Sequence, residues 1–188
     1  MALQPNGKAV VAGTCQSSTS LSFCAVRYNR DGTLDTTFGT NGKTITTVVS
    51  DSDSAQALTL QNDGKIVLAG SCRNGASFDF CAVRYNSDGS IDTSFATNGK
   101  LLLTIGSGGV RLTTIAVQRD EKLILIGDCN TSSNGDFCAA RFHPNGILDT
   151  SFGVNGIVIT QVGAGFDYSK ASTVQPDGKI LVADVPTR

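Results

Sequence analysis

Six cysteines, one histidine and three arginine–aspartate pairs are the residues whose types and spacing could do chemistry. The cysteines fall as Cys15 and Cys24, Cys72 and Cys81, and Cys129 and Cys138, each pair nine residues apart around a turn. Across an antiparallel hairpin that spacing sets two thiols side by side, at a Cα separation of about 5.5 Å that suits a disulfide. The rival chemistry is a metal site, but two thiolates fall short of the four ligands zinc takes. Six cysteines allow 15 pairings, and the regular spacing favours the three local ones. Three disulfides imply an oxidising compartment, so the expected location is extracellular, secreted or on the cell surface.

His143 is the single histidine and stands beside Pro144. A nucleophilic triad needs a nucleophile, a base and an orienter, and a lone histidine in a turn reads as an exposed side chain. The chain has no phosphate loop, no paired catalytic carboxylates and no dinucleotide fingerprint. The expectation is no catalytic residue, no cofactor and no metal ligand: not an enzyme. Asn130-Thr131-Ser132 is a glycosylation sequon, set against a plain loop asparagine.

Arg27, Arg84 and Arg141 are each followed eight residues later by Asp35, Asp92 and Asp149. One reading is a ring of charge lining a channel. The other is a bidentate pair that pins a loop in each repeat. Recurrence favours the second, because a feature present in every unit is what a fold requires. Residues 29–35 place oxygen side chains at alternate positions with a glycine, as a calcium loop does. The third copy has His143-Pro144-Asn145-Gly146 instead, and no Glu closes the loop. A β-turn followed by a bend is the preferred reading.

The elements that must position these residues repeat with them. Gln4-Pro5-Asn6-Gly7-Lys8 returns at 61–65, at 118–122 and as Gln175-Pro176-Asp177-Gly178-Lys179, always 57 residues on. The cysteines, the arginines and Phe38, Phe95 and Phe152 keep the same step. The array of residues 1–188 therefore divides into units 4–60, 61–117 and 118–174, with a partial fourth at 175–188. It begins and ends inside a repeat, which predicts exposed strand edges open to pairing. In the second unit the strands are expected at 54–61, 66–70, 80–85 and 101–105. Asn-Gly occurs seven times and Asp-Gly four times, and both supply the positive φ that tight hairpins need. No stretch shows a capped helical period.

Four short antiparallel strands in 57 residues make a unit the size of a propeller blade. The fold class is all-β: tandem four-stranded blades, β-propeller-like. The alternative is a β-trefoil-like threefold closure, which has no use for a fourth start. Three blades do not close a ring, so neighbours must come from elsewhere.

The run Cys81-Ala82-Val83-Arg84-Tyr85-Asn86-Ser87-Asp88-Gly89-Ser90-Ile91-Asp92-Thr93-Ser94-Phe95 and the run Gln175-Pro176-Asp177-Gly178-Lys179-Ile180-Leu181-Val182-Ala183 resemble the delta-60 repeat. That resemblance spans nearly the whole chain. It implies propeller-like β arrays of secreted and surface proteins, without catalytic residues. The chain departs from the pattern in its paired cysteines, in Glu121 where other units have Gly, and in Ala96 where they have Gly39 and Gly153. Asp167 and Tyr168 also break the internal symmetry.

Lys plus Arg is 15 and Asp plus Glu is 16, a net charge of −1. No basic excess exists to neutralise phosphates, which argues against nucleic acid. No apolar run reaches the roughly 18–20 residues of a membrane span. Residues 1–5 do not read as a secretory leader, so the expectation is a mature region or a piece whose targeting segment lies elsewhere. The expected partners are further copies, as a dimer closing a six-bladed ring or as an end-to-end filament, and a protein or glycan ligand at the blade loops.

Overall fold

Turns every ten to twenty residues cut the chain into strands that cannot bury both faces of a sheet alone, so the sheets must stack. The computed structural model describes residues 1–17, 20–49, 52–130, 135–163 and 165–184. Among them are fourteen strands and no helix. The first sheet holds β1 (Ala2–Leu3), β2 (Ala9–Ser17), β3 (Ser20–Tyr28) and β4 (Lys43–Thr46). The second holds β5 (Ser52–Leu60), β6 (Ile66–Asn74), β7 (Ser77–Tyr85) and β8 (Lys100–Leu103). The third holds β9 (Val110–Val117), β10 (Leu123–Asn130), β11 (Gly135–Phe142) and β12 (Ile157–Thr160), and β13 (Ser169–Val174) pairs with β14 (Ile180–Asp184). Within each sheet successive strands are antiparallel neighbours. One parallel pair, Leu21 with Ser52, joins the first two sheets.

These are blades, and the trefoil alternative is not what forms: the sheets stack face to face and close no barrel among the described residues. Each sheet opens one strand before the repeated Gln-X-X-X-Lys words, so β5 begins the second blade although it ends the unit 4–60. The central hairpins are longer than the sequence suggests. β6 and β7 pair out to Asn74 with Ser77, leaving a tip at Gly75 with φ 67°. The ladder and the cysteine link extend pairing through residues whose polarity reads as loop. The fourth strand is shorter than expected, ending at Leu103.

Period-2 alternation decides which residues meet. Ile66 and Leu68 pack toward the first blade with Val10, Phe23, Ala25 and Phe38. Val67 and Ala69, pointing the other way, join Leu123, Leu125, Leu112 and Phe142 of the third. Ile124 and Ile126 then face Val174, Ile180 and Val182 of the fourth. Each fully buried Ile, Leu or Val contributes about 1.5–3 kcal/mol, and doubly buried second strands explain runs that are apolar at every position.

A bulge in β5 between Ala55 and Ala57 brings the Ser54 carbonyl against Gly70. The Arg111 carbonyl likewise meets Gly127. A Cβ at either glycine would collide with backbone. Their counterpart Gly13 has open space beside it, because β1 is too short to reach it.

Candidate functional site

Each arginine of the repeat stands on the third strand of its blade and reaches the loop that follows. Arg27 Nε donates to Asp35 Oδ2 at 2.6 Å; Arg84 to Asp92 and Arg141 to Asp149 repeat this at 2.8 Å. The contact is a single N–H rather than a fork, because the other guanidinium nitrogens have different work. Arg27 Nη1 donates to the Ser87 carbonyl of the next blade, and Arg84 Nη1 to that of Pro144. The guanidinium planes lie over Phe38, Phe95 and Phe152, 4.6–4.7 Å from each centroid, a cation–π contact. These groups sit between third strands and loops, and the first strands do not carry them.

The aspartates are fully engaged. Their Oδ1 atoms accept Thr37 Oγ1 at 2.7 Å, and Ser94 Oγ and Ser151 Oγ at 2.6 Å. Lys8 Nζ reaches Asp35 Oδ2 at 2.7 Å and Lys122 Nζ reaches Asp149 Oδ2 at 3.2 Å. The Lys8 ammonium and the Thr37 hydroxyl hold the Asp35 carboxyl well below the usual range. The Ser151 hydroxyl, with Lys122, does the same for Asp149. Burial works against the Asp92 carboxylate, but Ser94 and Arg84 more than offset it and keep it low. Such a cluster fixes charge in place and leaves no loose base.

The turn of each following blade sits on the phenylalanine of the one before. Gly39 N donates to the Asp88 carbonyl and Ala96 N to that of Asn145, both at 2.7 Å. A side chain on Gly89 would come 2.8 Å from the Phe38 ring, which is why the turn needs glycine there. A second staple lies nearer the first strands: Thr14 Oγ1 accepts from Ala55 N at 3.0 Å, Ser71 Oγ from Leu112 N at 2.9 Å, and Asp128 Oδ1 from Ser169 N at 2.6 Å. Sequence reasoning missed this staple and the lysines. The signal was there, since 14, 71 and 128 and 8, 65 and 122 keep the 57-residue step.

The cysteines close as Cys15–Cys24, Cys72–Cys81 and Cys129–Cys138, with Cα separations of 5.9–6.0 Å. They are diagonal rather than side by side. Cys72 lies opposite Asp79 and Cys81 opposite Gly70, and the third blade repeats the arrangement. In all three hairpins the second cysteine lies opposite a glycine, Gly13, Gly70 or Gly127.

The symmetry breakers scatter. His143 is 46% exposed, with Nε2 3.8 Å from Asp149 Oδ1. Glu121 and Ala96 hold positive φ, 63° and 43°, at positions glycine takes elsewhere. Glu121 reaches across to the Asn62 amide. Asp167 matches Asp53: each accepts two backbone amides of the loop before the first strand. Asp31 accepts Thr33 N and Oγ1 while Gly32 turns at φ 82°, so residues 29–35 form a turn. Asn130 is exposed and its Nδ2 donates to the Gly108 carbonyl; Thr131 and Ser132 of the sequon lie outside the described residues.

No curated protein matches the chain. A family model described as a domain of unknown function (DUF5122) beta-propeller matches residues 4–38, 61–95 and 118–152. The matched stretches start 57 residues apart, each running from the Gln word through the arginine and aspartate to the stacked phenylalanine. With three tandem matches over more than half its length, the chain belongs to the DUF5122 beta-propeller family.

Proposed function

We propose that the chain is a non-enzymatic extracellular propeller module that works by binding, both to further blades of its own repeat type and through loops at the blade ends. The observation that carries this is the outer face of the first blade. Ala9, Val11, Cys15, Cys24, Val26 and Tyr28 are counterparts of the face that the second blade buries with Ile66, Leu68, Cys72, Cys81, Val83 and Tyr85. In the first blade Val11 and Tyr28 are each 37% exposed. Exposed apolar faces of this kind mark interaction surfaces, and a blade of the same repeat is what covers the equivalent face at both interior junctions.

Three disulfides support an oxidising, extracellular setting, as does the resemblance of 81–95 and 175–183 to the delta-60 repeat. Use of the recurrent buried charges as inter-blade clamps supports a scaffold rather than a catalyst. A second reading, a subunit that polymerises end to end, is favoured by a groove of about 300 Å³ at the opposite end of the stack, lined by Phe137, Ala139, Phe152, Val158, Ile180 and Val182.

Sedimentation with negative-stain microscopy tests the reading. Two-chain rings would support joining through blade faces, and long fibres the structural reading. A strict monomer up to the solubility limit would remove self-joining. Alkylation without reductant is expected to find no free thiol; more than one per chain would overturn the extracellular assignment.

A further inference from the structure

The repeat is broken in one place beside the first strands. Positions 52, 54 and 56 recur as 109, 111 and 113 and as 166, 168 and 170. They read Ser, Ser, Gln in the second blade, then Gly, Arg, Thr, then Phe, Tyr, Lys. The third and fourth blades therefore bring Arg111 and Lys170 to one aromatic pair. Arg111 Cζ lies 5.8 Å and Lys170 Nζ 5.7 Å from the Tyr168 centroid. The Phe166 and Tyr168 rings are parallel within 7°, with centroids 6.0 Å apart. Both stay on the surface, 51% and 38% exposed.

One edge of Phe166 rests over Gly135, 3.2 Å from where a Cβ would stand. The fold explains that contact and the meeting of Arg111 with Tyr168 across the blades, yet it leaves both rings on the surface. The nearby carboxylates are occupied: Asp128 by Ser169 and Arg111, Asp167 by the Val162 and Gly163 amides. Lys170 has no carboxylate partner among the described residues.

We infer that Phe166, Tyr168, Arg111 and Lys170 form a binding site for an acidic saccharide, deepening the proposal that the module works by binding. The exposed parts of the two rings take the C–H groups of a sugar, whereas a small aromatic ligand needs an enclosing cavity. Lys170 and the exposed part of Arg111 take the carboxylate or sulfate.

Titration calorimetry of the full chain with an oligogalacturonate, a sulfated oligosaccharide and a neutral oligomer of equal length tests this. At least one acidic oligomer is expected to bind about tenfold or more tighter than the neutral one, and which of them does so identifies the anion. Tyr168→Ala is expected to weaken it about tenfold. Lys170→Gln is expected to weaken acidic binding and reduce its salt dependence. Phe78→Ala, an exposed aromatic of the second blade, is expected to change nothing. Equal binding of acidic and neutral oligomers, no binding of any, or unchanged affinity in folded Tyr168→Ala and Lys170→Gln overturns the inference. Blade-face assembly is read separately by sedimentation, so loss of this site leaves that test of the binding proposal intact.

Discussion

Arg27 and Ser87 belong to different blades, sixty residues apart, yet the guanidinium that pairs with Asp35 also donates to the Ser87 carbonyl. Arg84 does the same with Asp92 and Pro144. One side chain thus fixes the loop of its own blade and the turn of the next.

Arg84→Ala is expected to destabilise the chain by about 3 kcal/mol, because it leaves the buried Asp92 carboxylate only Ser94 and a Lys65 ammonium 3.9 Å away. Arg84→Lys recovers little, since an ammonium cannot reproduce the planar stack and divided donors. Arg141→Ala is expected to cost less, as its side chain is more exposed and has no acceptor in a following blade among the described residues. Urea denaturation of the three variants checks the order; equal losses for Arg84 and Arg141 would show that the inter-blade bond contributes nothing.

Reduction is expected to open the bridges in order of burial. Cys15 and Cys24 are partly exposed, whereas Cys72–Cys81 and Cys129–Cys138 lie in the junction cores. Partial reduction followed by alkylation and peptide mapping is expected to label Cys15 and Cys24 first. Each bridge closes a short loop and contributes about 2–3 kcal/mol.

Acid is expected to unfold the protein only below about pH 4, where free aspartate begins to protonate. Asp35 and Asp149 have folded-state affinities for protons below the unfolded value. Their stabilisation is complete above the unfolded pKa and is lost as pH falls toward the folded one. Asp53 runs the other way, because burial raises its carboxyl, so protonating it opposes the loss. Stability measured from pH 7 down to pH 2 should be flat and then fall; Asp35→Asn should flatten the acid limb.

Gly127→Ala is expected to destabilise by about 1–3 kcal/mol or more, since the new methyl meets the Arg111 carbonyl. Gly13→Ala is expected to be neutral in the isolated chain, because nothing lies within 4 Å. Thermal melts decide it. A loss at Gly13 that appears only at high protein concentration would show another strand covering that position.

The blades were legible because their signals are local. Turn dipeptides, alternating apolar positions and a 57-residue step identify four strands per unit from neighbours along the chain. The cysteine pairs were legible for the same reason, nine residues lying within one hairpin. Their diagonal offset was not, because register follows from the full ladder of the hairpin.

Sequence alone determined the repeat, the all-β class, the pairing of Arg27 with Asp35 and the local disulfides. Tertiary structure alone decided that Arg27 also holds Ser87, that Thr14 and Ser71 accept amides from the next blade, and that Arg111 meets Tyr168. Those contacts join residues about 40 to 60 apart across stacked faces. Their partners are set by how one sheet lies on another, a relation that no pattern within a single strand encodes.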